Sequence, residues 1–129
     1  MFSYFAVLLL VLASHSVSGC SSPVRSLRAL YNLRSVAPGD TVCVDLLPES
    51  IEILHYTDAC LNFSVVVRGN NSTVLCSQEE DLGTSYSQFP LSFCGGDLVE
   101  IRDIYFQGCK RPLLFDEVQT VTVSSANFT

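Results

Sequence analysis

Few residues of this chain are spaced for catalysis or metal binding. The run Glu79-Glu80-Asp81 could bind calcium, but it lacks the alternating ligand spacing of a calcium loop, so we interpret it as a solvated acidic loop. His55 is the one histidine beyond the N-terminal 19 residues, and no Gly-x-Ser-x-Gly pattern supports a nucleophilic triad. No Gly-rich phosphate loop precedes a helix. The sequence therefore predicts no metal and no cofactor.

A second set of ionisable residues lies in the last third of the chain, at Asp103, Lys110-Arg111 and Asp116-Glu117. The two dipeptides occupy predicted turns, where solvated charge is the normal choice. Nothing in their spacing indicates a converging acid and base. We predict no catalytic residue and no enzymatic activity of this chain by itself.

The six cysteines predict a disulfide framework. They are Cys20, Cys43, Cys60, Cys76, Cys94 and Cys109. The spacings contain no Cys-x-x-Cys, which argues against zinc and redox sites. An even number favours structural bridges in an oxidising compartment, although the sequence leaves their connectivity open.

Four of the five asparagines lie in Asn-x-Ser/Thr sequons. They are Asn62, Asn70, Asn71 and Asn127, and the sequons of Asn70 and Asn71 overlap. This density favours a secreted eukaryotic glycoprotein with these asparagines as candidate glycosylation sites.

Residues 1–19 resemble a secretory signal peptide. The uncharged run Phe2 to Ala13 forms the apolar region, and Val17 and Gly19 are small residues before a cut at Cys20. This run is shorter than the about 20 residues that cross a bilayer, and we predict no membrane span. Val17-Ser18-Gly19-Cys20 also resembles a lipoprotein box, which leaves a lipid anchor through Cys20 as the alternative. The N-terminal region lacks the Lys or Arg that such signals normally carry.

The remaining chain, residues 20–129, has about 110 residues, enough for one small domain. Its net charge of −6 does not favour nucleic acid, which needs basic patches to neutralise phosphates. We expect a protein located outside the cell.

A repeat of 22 residues is the strongest clue to the fold. Pro90-Leu91-Ser92-Phe93 recurs as Pro112-Leu113-Leu114-Phe115, and Val99 and Phe106 recur as Val121 and Phe128. A unit this small cannot bury its own apolar face and must stack on its neighbours. We predict that Val99, Ile101 and Phe106 stack on the residues 22 positions later, in a parallel β-solenoid.

The elements before the repeat fit that interpretation. An apolar stripe at Leu27, Leu30, Tyr31 and Leu33 predicts an amphipathic helix from about Val24 to Ser35, which Pro38-Gly39-Asp40 ends. Strands are predicted at Thr41–Pro48, Ile51–Leu54, Phe63–Val67 and Thr73–Cys76, with a turn at Gly69–Asn71 and a polar loop at Ser77–Gln88.

Residues 24–129 resemble the start of a right-handed parallel β-helix of the pectate-lyase-like type. Val36-Ala37-Pro38-Gly39-Asp40-Thr41-Val42 is similar to the strand entering the first coil, and Val65 to Cys76 is similar to an early rung. Uncharacterised extracellular β-helix proteins of simple animals share these features. The resemblance implies an N-terminal helix that caps the first coil. It also implies that Cys76, Cys94 and Cys109 mark coil ends. We therefore expect bridges between neighbouring coils, with Cys76–Cys94 or Cys94–Cys109 ahead of pairings to Cys20.

Two functions follow from this resemblance. The first is a secreted, non-catalytic β-helix scaffold or binding module for a glycan or protein ligand. The alternative is the non-catalytic N-terminal part of a polysaccharide lyase or glycoside hydrolase. Because the sequence stops at Asn127-Phe128-Thr129 without a capping element, we expect a truncated solenoid whose open coil needs further coils or a partner.

Overall fold

The computed structural model describes residues 23–33, 36–37, 39–77 and 89–129 of an all-β parallel solenoid. The elements are a 3-10 helix at Arg28–Asn32 and strands β1 (Thr41–Asp45), β2 (Ile51–Leu54), β3 (Ser64–Cys76), β4 (Leu91–Phe93), β5 (Leu98–Gln107), β6 (Leu113–Phe115) and β7 (Thr120–Phe128). The predicted signal peptide 1–19, Cys20, the Pro38 of the predicted turn and most of the polar loop lie outside the described residues.

The strands of successive coils lie side by side and run in parallel. The main sheet has the order β1-β3-β5-β7, and β2 pairs with the second half of β3. A second sheet pairs β4 with β6. Since each turn of the chain returns to lie on the previous turn, the described residues wind through about four stacked coils, and the predicted parallel solenoid is confirmed.

The 22-residue repeat sets the register of the last two coils. The matched pairs are Leu91–Leu113, Phe93–Phe115, Val99–Val121, Ile101–Val123 and Phe106–Phe128. The two pairs of phenylalanine rings stack with centroids 5.5 Å and 5.3 Å apart. The predicted stacking of Val99, Ile101 and Phe106 on the next coil is therefore confirmed.

The long strands bend at residues with a left-handed backbone. Asn70 and Asn71 have φ of 51° and 62°, and the pairing register of β3 with β5 shifts at this point. Asn tolerates positive φ better than most residues. At the preceding Gly69 a Cβ atom would lie 2.3 Å from the carbonyl oxygen of Asp103, so only glycine fits. The predicted turn at Gly69–Asn71 is thus a corner inside one continuous strand, which we call the β3 corner.

Alternate residues of each strand fill the interior. Val65, Val67, Val99 and Ile101 are fully buried, and neighbouring side chains between them are partly exposed. The equivalent positions of β7 differ, because among the described residues no further coil covers them. Val121 is 41 % exposed there, whereas Val99 one coil earlier is 0 % exposed. Within the described residues, β7 therefore presents an exposed apolar surface.

The predicted α-helix from about Val24 to Ser35 is not found in the described part of this segment. Val24 forms a parallel bridge with Val44 instead, and its N–H donates to the Cys43 carbonyl at 2.8 Å. A single 3-10 turn, Arg28–Asn32, follows. The stripe nevertheless identified the buried side chains, since Leu27 and Leu30 belong to the core. Pairing with β1 satisfies both backbone groups of Val24, because its carbonyl also accepts a hydrogen bond from the Asp45 N–H at 2.9 Å.

Glu52 fixes this turn to the first coil. It pairs with Val74 in register, so it occupies the inward position that Val74 and Phe106 fill in later coils. Its two carboxylate oxygens accept hydrogen bonds from the backbone N–H groups of Leu27 and Arg28, at 2.8 Å and 3.0 Å. Charge-assisted bonds of this kind are about twice as strong as neutral ones. Glu52 therefore satisfies backbone donors at the start of the turn.

Two described disulfides join neighbouring coils. Cys60 bonds to Cys94 and Cys76 bonds to Cys109, with Cα atoms 5.7 Å and 5.2 Å apart. Bridging between neighbouring coils is confirmed, but the pairings Cys76–Cys94 and Cys94–Cys109 are wrong. Cys94 follows β4 and Cys109 follows β5, which places them at different corners of one coil. Cys43 is also disulfide-bonded, and the described residues include no free cysteine.

Candidate functional site

The ionisable residues singled out in the sequence do not come together. Asp103 lies at the corner inside β5, with φ of 57°. Lys110 and Arg111 are exposed in the turn between β5 and β6. Asp116 and Glu117 are exposed in the turn between β6 and β7. The three groups thus occupy three different corners of the coil.

The side chains that could coordinate a metal ion are also dispersed in the part of the chain that the structure describes. No group of three or more His, Cys, Asp or Glu side chains there could hold a metal ion. His55 is exposed just after β2. The run Glu79-Glu80-Asp81 lies outside the described residues. The expectation that the chain is not an enzyme stays a prediction.

The sequon asparagines differ in their surroundings. Asn62, Asn71 and Asn127 are exposed, whereas Asn70 is half-buried at the β3 corner. Asn62 immediately follows Leu61, which bridges to Phe93, and Asn127 lies on β7 opposite Tyr105. Glycosylation of each residue remains a prediction.

A charged row, which we define as Asp45, Arg68 and Arg102, crosses the first three coils. The three residues hold the same register position in β1, β3 and β5, about 4.8 Å apart from coil to coil. Each follows a buried apolar residue, so strand alternation directs it outward. Nη1 of Arg25 lies 3.3 Å from Oδ2 of Asp45. Sequence reasoning missed this row, although a charged residue after each alternating Val or Ile run was the available signal.

A cleft of about 400 Å³ lies beside this row, and we call it the N-terminal cleft. Its lining includes the charged residues Arg25, Arg28 and Glu52 and the apolar residues Leu47, Ile51 and Ile53. The Glu52 carboxylate is already bonded to backbone N–H groups, and Leu47 and Ile51 are well exposed, at 62 % and 70 %. Guanidinium groups bind carboxylates and sulfates through directed hydrogen bonds. The cleft can therefore accept a ligand that carries an anionic group next to an apolar surface.

Tyr31 is a largely but not fully buried titratable side chain that connects the 3-10 helix to β4. Its hydroxyl donates to the Pro90 carbonyl and accepts from the Ser92 N–H, both at 3.1 Å. Burial raises the pKa of Tyr31 from 10.0 to about 12, partly opposed by the bond from Ser92. Because the neighbouring partners are backbone groups, we interpret Tyr31 as a structural tie rather than an acid or base.

This raised pKa predicts a loss of stability in alkali. The unfolded chain releases the Tyr31 proton near pH 10 and the folded chain near pH 12, so the contribution of Tyr31 is complete below pH 10 and disappears as pH rises to 12. The loss should be about 2 kcal/mol of unfolding free energy. Urea unfolding of the wild type and Tyr31→Phe across this range will measure it, and the difference between the two should shrink with pH. A constant difference would contradict the assignment.

Among the described residues there is no helix with the length and apolar character needed to cross a membrane. Neither a protein-family model, nor a curated protein, nor a solved structure matches this chain.

Proposed function

We propose that this chain is a secreted, non-catalytic β-helix module that presents a binding surface to a glycan or protein ligand. The observation that carries the proposal is the pair of disulfides, each of which ties one coil to the next. Such bridges form and persist in oxidising compartments. They also restrict the motion of neighbouring coils relative to each other, which keeps the outer faces of the solenoid in a fixed arrangement.

A secreted location fits the other features of the chain. The uncharged run before Cys20 is typical of a signal peptide, and three sequon asparagines are exposed. A lipid anchor at Cys20 is the alternative for the same segment. The right-handed, pectate-lyase-like type of the solenoid belongs to this proposal, since parallel crossovers are right-handed in nearly all known cases.

The N-terminal cleft and the charged row are the surfaces that suit a ligand best. Arg25 of the cleft pairs with Asp45 of the row, and together the two surfaces offer basic groups on a protein whose net charge is −6. A ligand with carboxylate or sulfate groups would be complementary to this local charge. Acidic polysaccharides are therefore the first glycans to test.

The alternative function is the non-catalytic N-terminal part of a polysaccharide lyase or glycoside hydrolase. Its support is the parallel solenoid architecture, which the sequence resemblance connects with those enzymes. Architecture alone does not determine activity, because one fold can carry many functions. Acidic and basic residues clustered on one face of further coils, in a longer transcript, would favour this alternative.

The test is expression of the full chain in a eukaryotic secretory host. We expect disulfide-bonded protein in the medium, retention on an immobilised acidic polysaccharide, and no cleavage of polygalacturonate with calcium present. Arg25→Ser/Arg28→Ser should lose retention, whereas Lys110→Ser/Arg111→Ser, which removes the same charge from an exposed turn, should keep it. Intracellular protein with free thiols would overturn the secreted location. Cleavage of polygalacturonate would overturn the non-catalytic assignment.

A further inference from the structure

Two overlapping sequons, Asn70-Asn71-Ser72 and Asn71-Ser72-Thr73, lie at the β3 corner. Both asparagines have a left-handed backbone, and they are adjacent in the chain. Asn71 is nevertheless exposed while Asn70 is half-buried. The two side chains therefore differ in what they can do chemically.

The side-chain amide of Asn70 uses both of its N–H groups inside the fold. Its Nδ2 donates to Oδ1 of Asp45 and to the backbone carbonyl of Leu46, each at 2.7 Å. A primary amide has two N–H donors, so these two bonds exhaust them. Asn70 thereby connects the corner of the second coil to the end of β1 in the first coil.

N-glycosylation consumes one of those hydrogens. The C1–O bond of a polyprenyl-diphosphate-linked oligosaccharide breaks, a C1–Nδ2 bond forms, and the displaced amide proton leaves with the diphosphate. The product amide keeps one N–H. A glycan on Asn70 would therefore remove at least one of the two hydrogen bonds, and the sugar would have to occupy the space of a 2.7 Å contact.

The hydroxyl that completes the first sequon is also committed. Ser72 is 0 % exposed, and its Oγ donates to the Leu47 carbonyl at 2.8 Å and lies 3.0 Å from Oγ of Ser50. Thr73, which completes the second sequon, is partly exposed on β3. The Asn70 amide and the Ser72 hydroxyl of the first sequon thus hold the corner together, whereas Asn71 faces solvent.

We propose that Asn71 is the glycan acceptor of this corner and that Asn70 is a structural residue, unmodified in the folded protein. This inference rests on the proposed secretion of the chain. Transfer to Asn70 before folding would produce a chain that cannot complete the corner. Such chains are expected to be retained in the host cell rather than secreted.

The experiment maps glycan occupancy by mass spectrometry of the full chain secreted from a eukaryotic host. We expect glycan on Asn71 and none on Asn70. Thr73→Ala destroys the Asn71 sequon and leaves that of Asn70 intact, so the secreted variant should lose one glycan and gain none on Asn70. Glycan on Asn70 in the secreted, disulfide-bonded wild type or variant would overturn the proposal.

A matched pair of variants separates the structural role from glycosylation. Asn70→Asp and Asn71→Asp each remove one acceptor and tolerate positive φ, and both are compared after enzymatic deglycosylation. Asn70→Asp cannot donate to Asp45 and should lower Tm by about 5–10 °C, while Asn71→Asp should leave Tm nearly unchanged. Equal Tm values would overturn the structural role of Asn70.

Occupancy of the other two sequons distinguishes the possible failures. Glycan on Asn62 and Asn127 with a bare Asn71 would overturn the assignment of Asn71 and leave the proposed secretion standing. A chain that carries no glycan and stays inside the cell would overturn both this inference and the proposed location.

Discussion

Val99→Asp should abolish or nearly abolish folding, because it leaves a charge in the middle of the coil stack. Val99 is 0 % exposed and lies in register between Val65 and Val121. An unpaired buried carboxylate costs about 3–5 kcal/mol, a large part of the about 5–15 kcal/mol that stabilises a typical domain. Urea unfolding monitored by circular dichroism, together with secreted yield, will measure the loss.

Val121→Asp provides the matched control. It introduces the same charge at the same register position one coil later, where the side chain is 41 % exposed. Water can hydrate a carboxylate there, so we expect a cost of about 1 kcal/mol or less. Equal losses for the two variants would contradict the difference in exposure between Val99 and Val121.

Removal of either described disulfide should be the second most damaging change. Cys60–Cys94 and Cys76–Cys109 close loops with sequence separations of 34 and 33 residues. Loop-closure entropy assigns about 3–4 kcal/mol to a bridge of this span. We expect Cys60→Ala/Cys94→Ala and Cys76→Ala/Cys109→Ala to lower the unfolding free energy by similar amounts in denaturant titrations.

Single variants test the connectivity itself. Cys94→Ala should release one reactive thiol, and peptide mapping should place it at Cys60. Cys76→Ala should release the thiol of Cys109. A free Cys109 in the Cys94→Ala variant would restore the pairing that the sequence favoured and refute the one in the structure.

The periodic part of the fold was predictable from the sequence. Strand side chains alternate between faces, so the Val99-x-Ile101 pattern identifies the inward positions, and a constant offset identifies their neighbours in the next coil. The bounds of β2 were also predicted correctly as Ile51–Leu54. In these segments the local pattern was enough to predict the register, because the burial of one strand face and the repeat length require the same alignment of neighbouring coils.

The predicted disulfide pairing was wrong because the 22-residue offset of the last two coils does not hold between the second coil and the third. Val65 pairs with Val99, an offset of 34 residues rather than 22, since a longer connection separates the second coil from the third. Cys60 and Cys94 have that same separation. The alternating apolar residues of Phe63–Val67 and Val99–Ile101 therefore mark equivalent positions of two neighbouring coils. The correct cysteine pairs follow only when these two coils are aligned across the longer connection.

By itself, the sequence determined the parallel solenoid, the inward stack from Val99 to Phe106 and the residues of the N-terminal segment that reach the core. Tertiary structure decided how that segment folds, since backbone pairing of Val24 with β1 replaces a helix start. It also decided which of the two neighbouring asparagines, Asn70 or Asn71, has its side-chain amide bonded inside the fold. The partners of Asn70 lie about 25 residues away on the preceding coil. Periodicity encodes which face a residue occupies, whereas contacts between distant segments depend on the length of every connection between them.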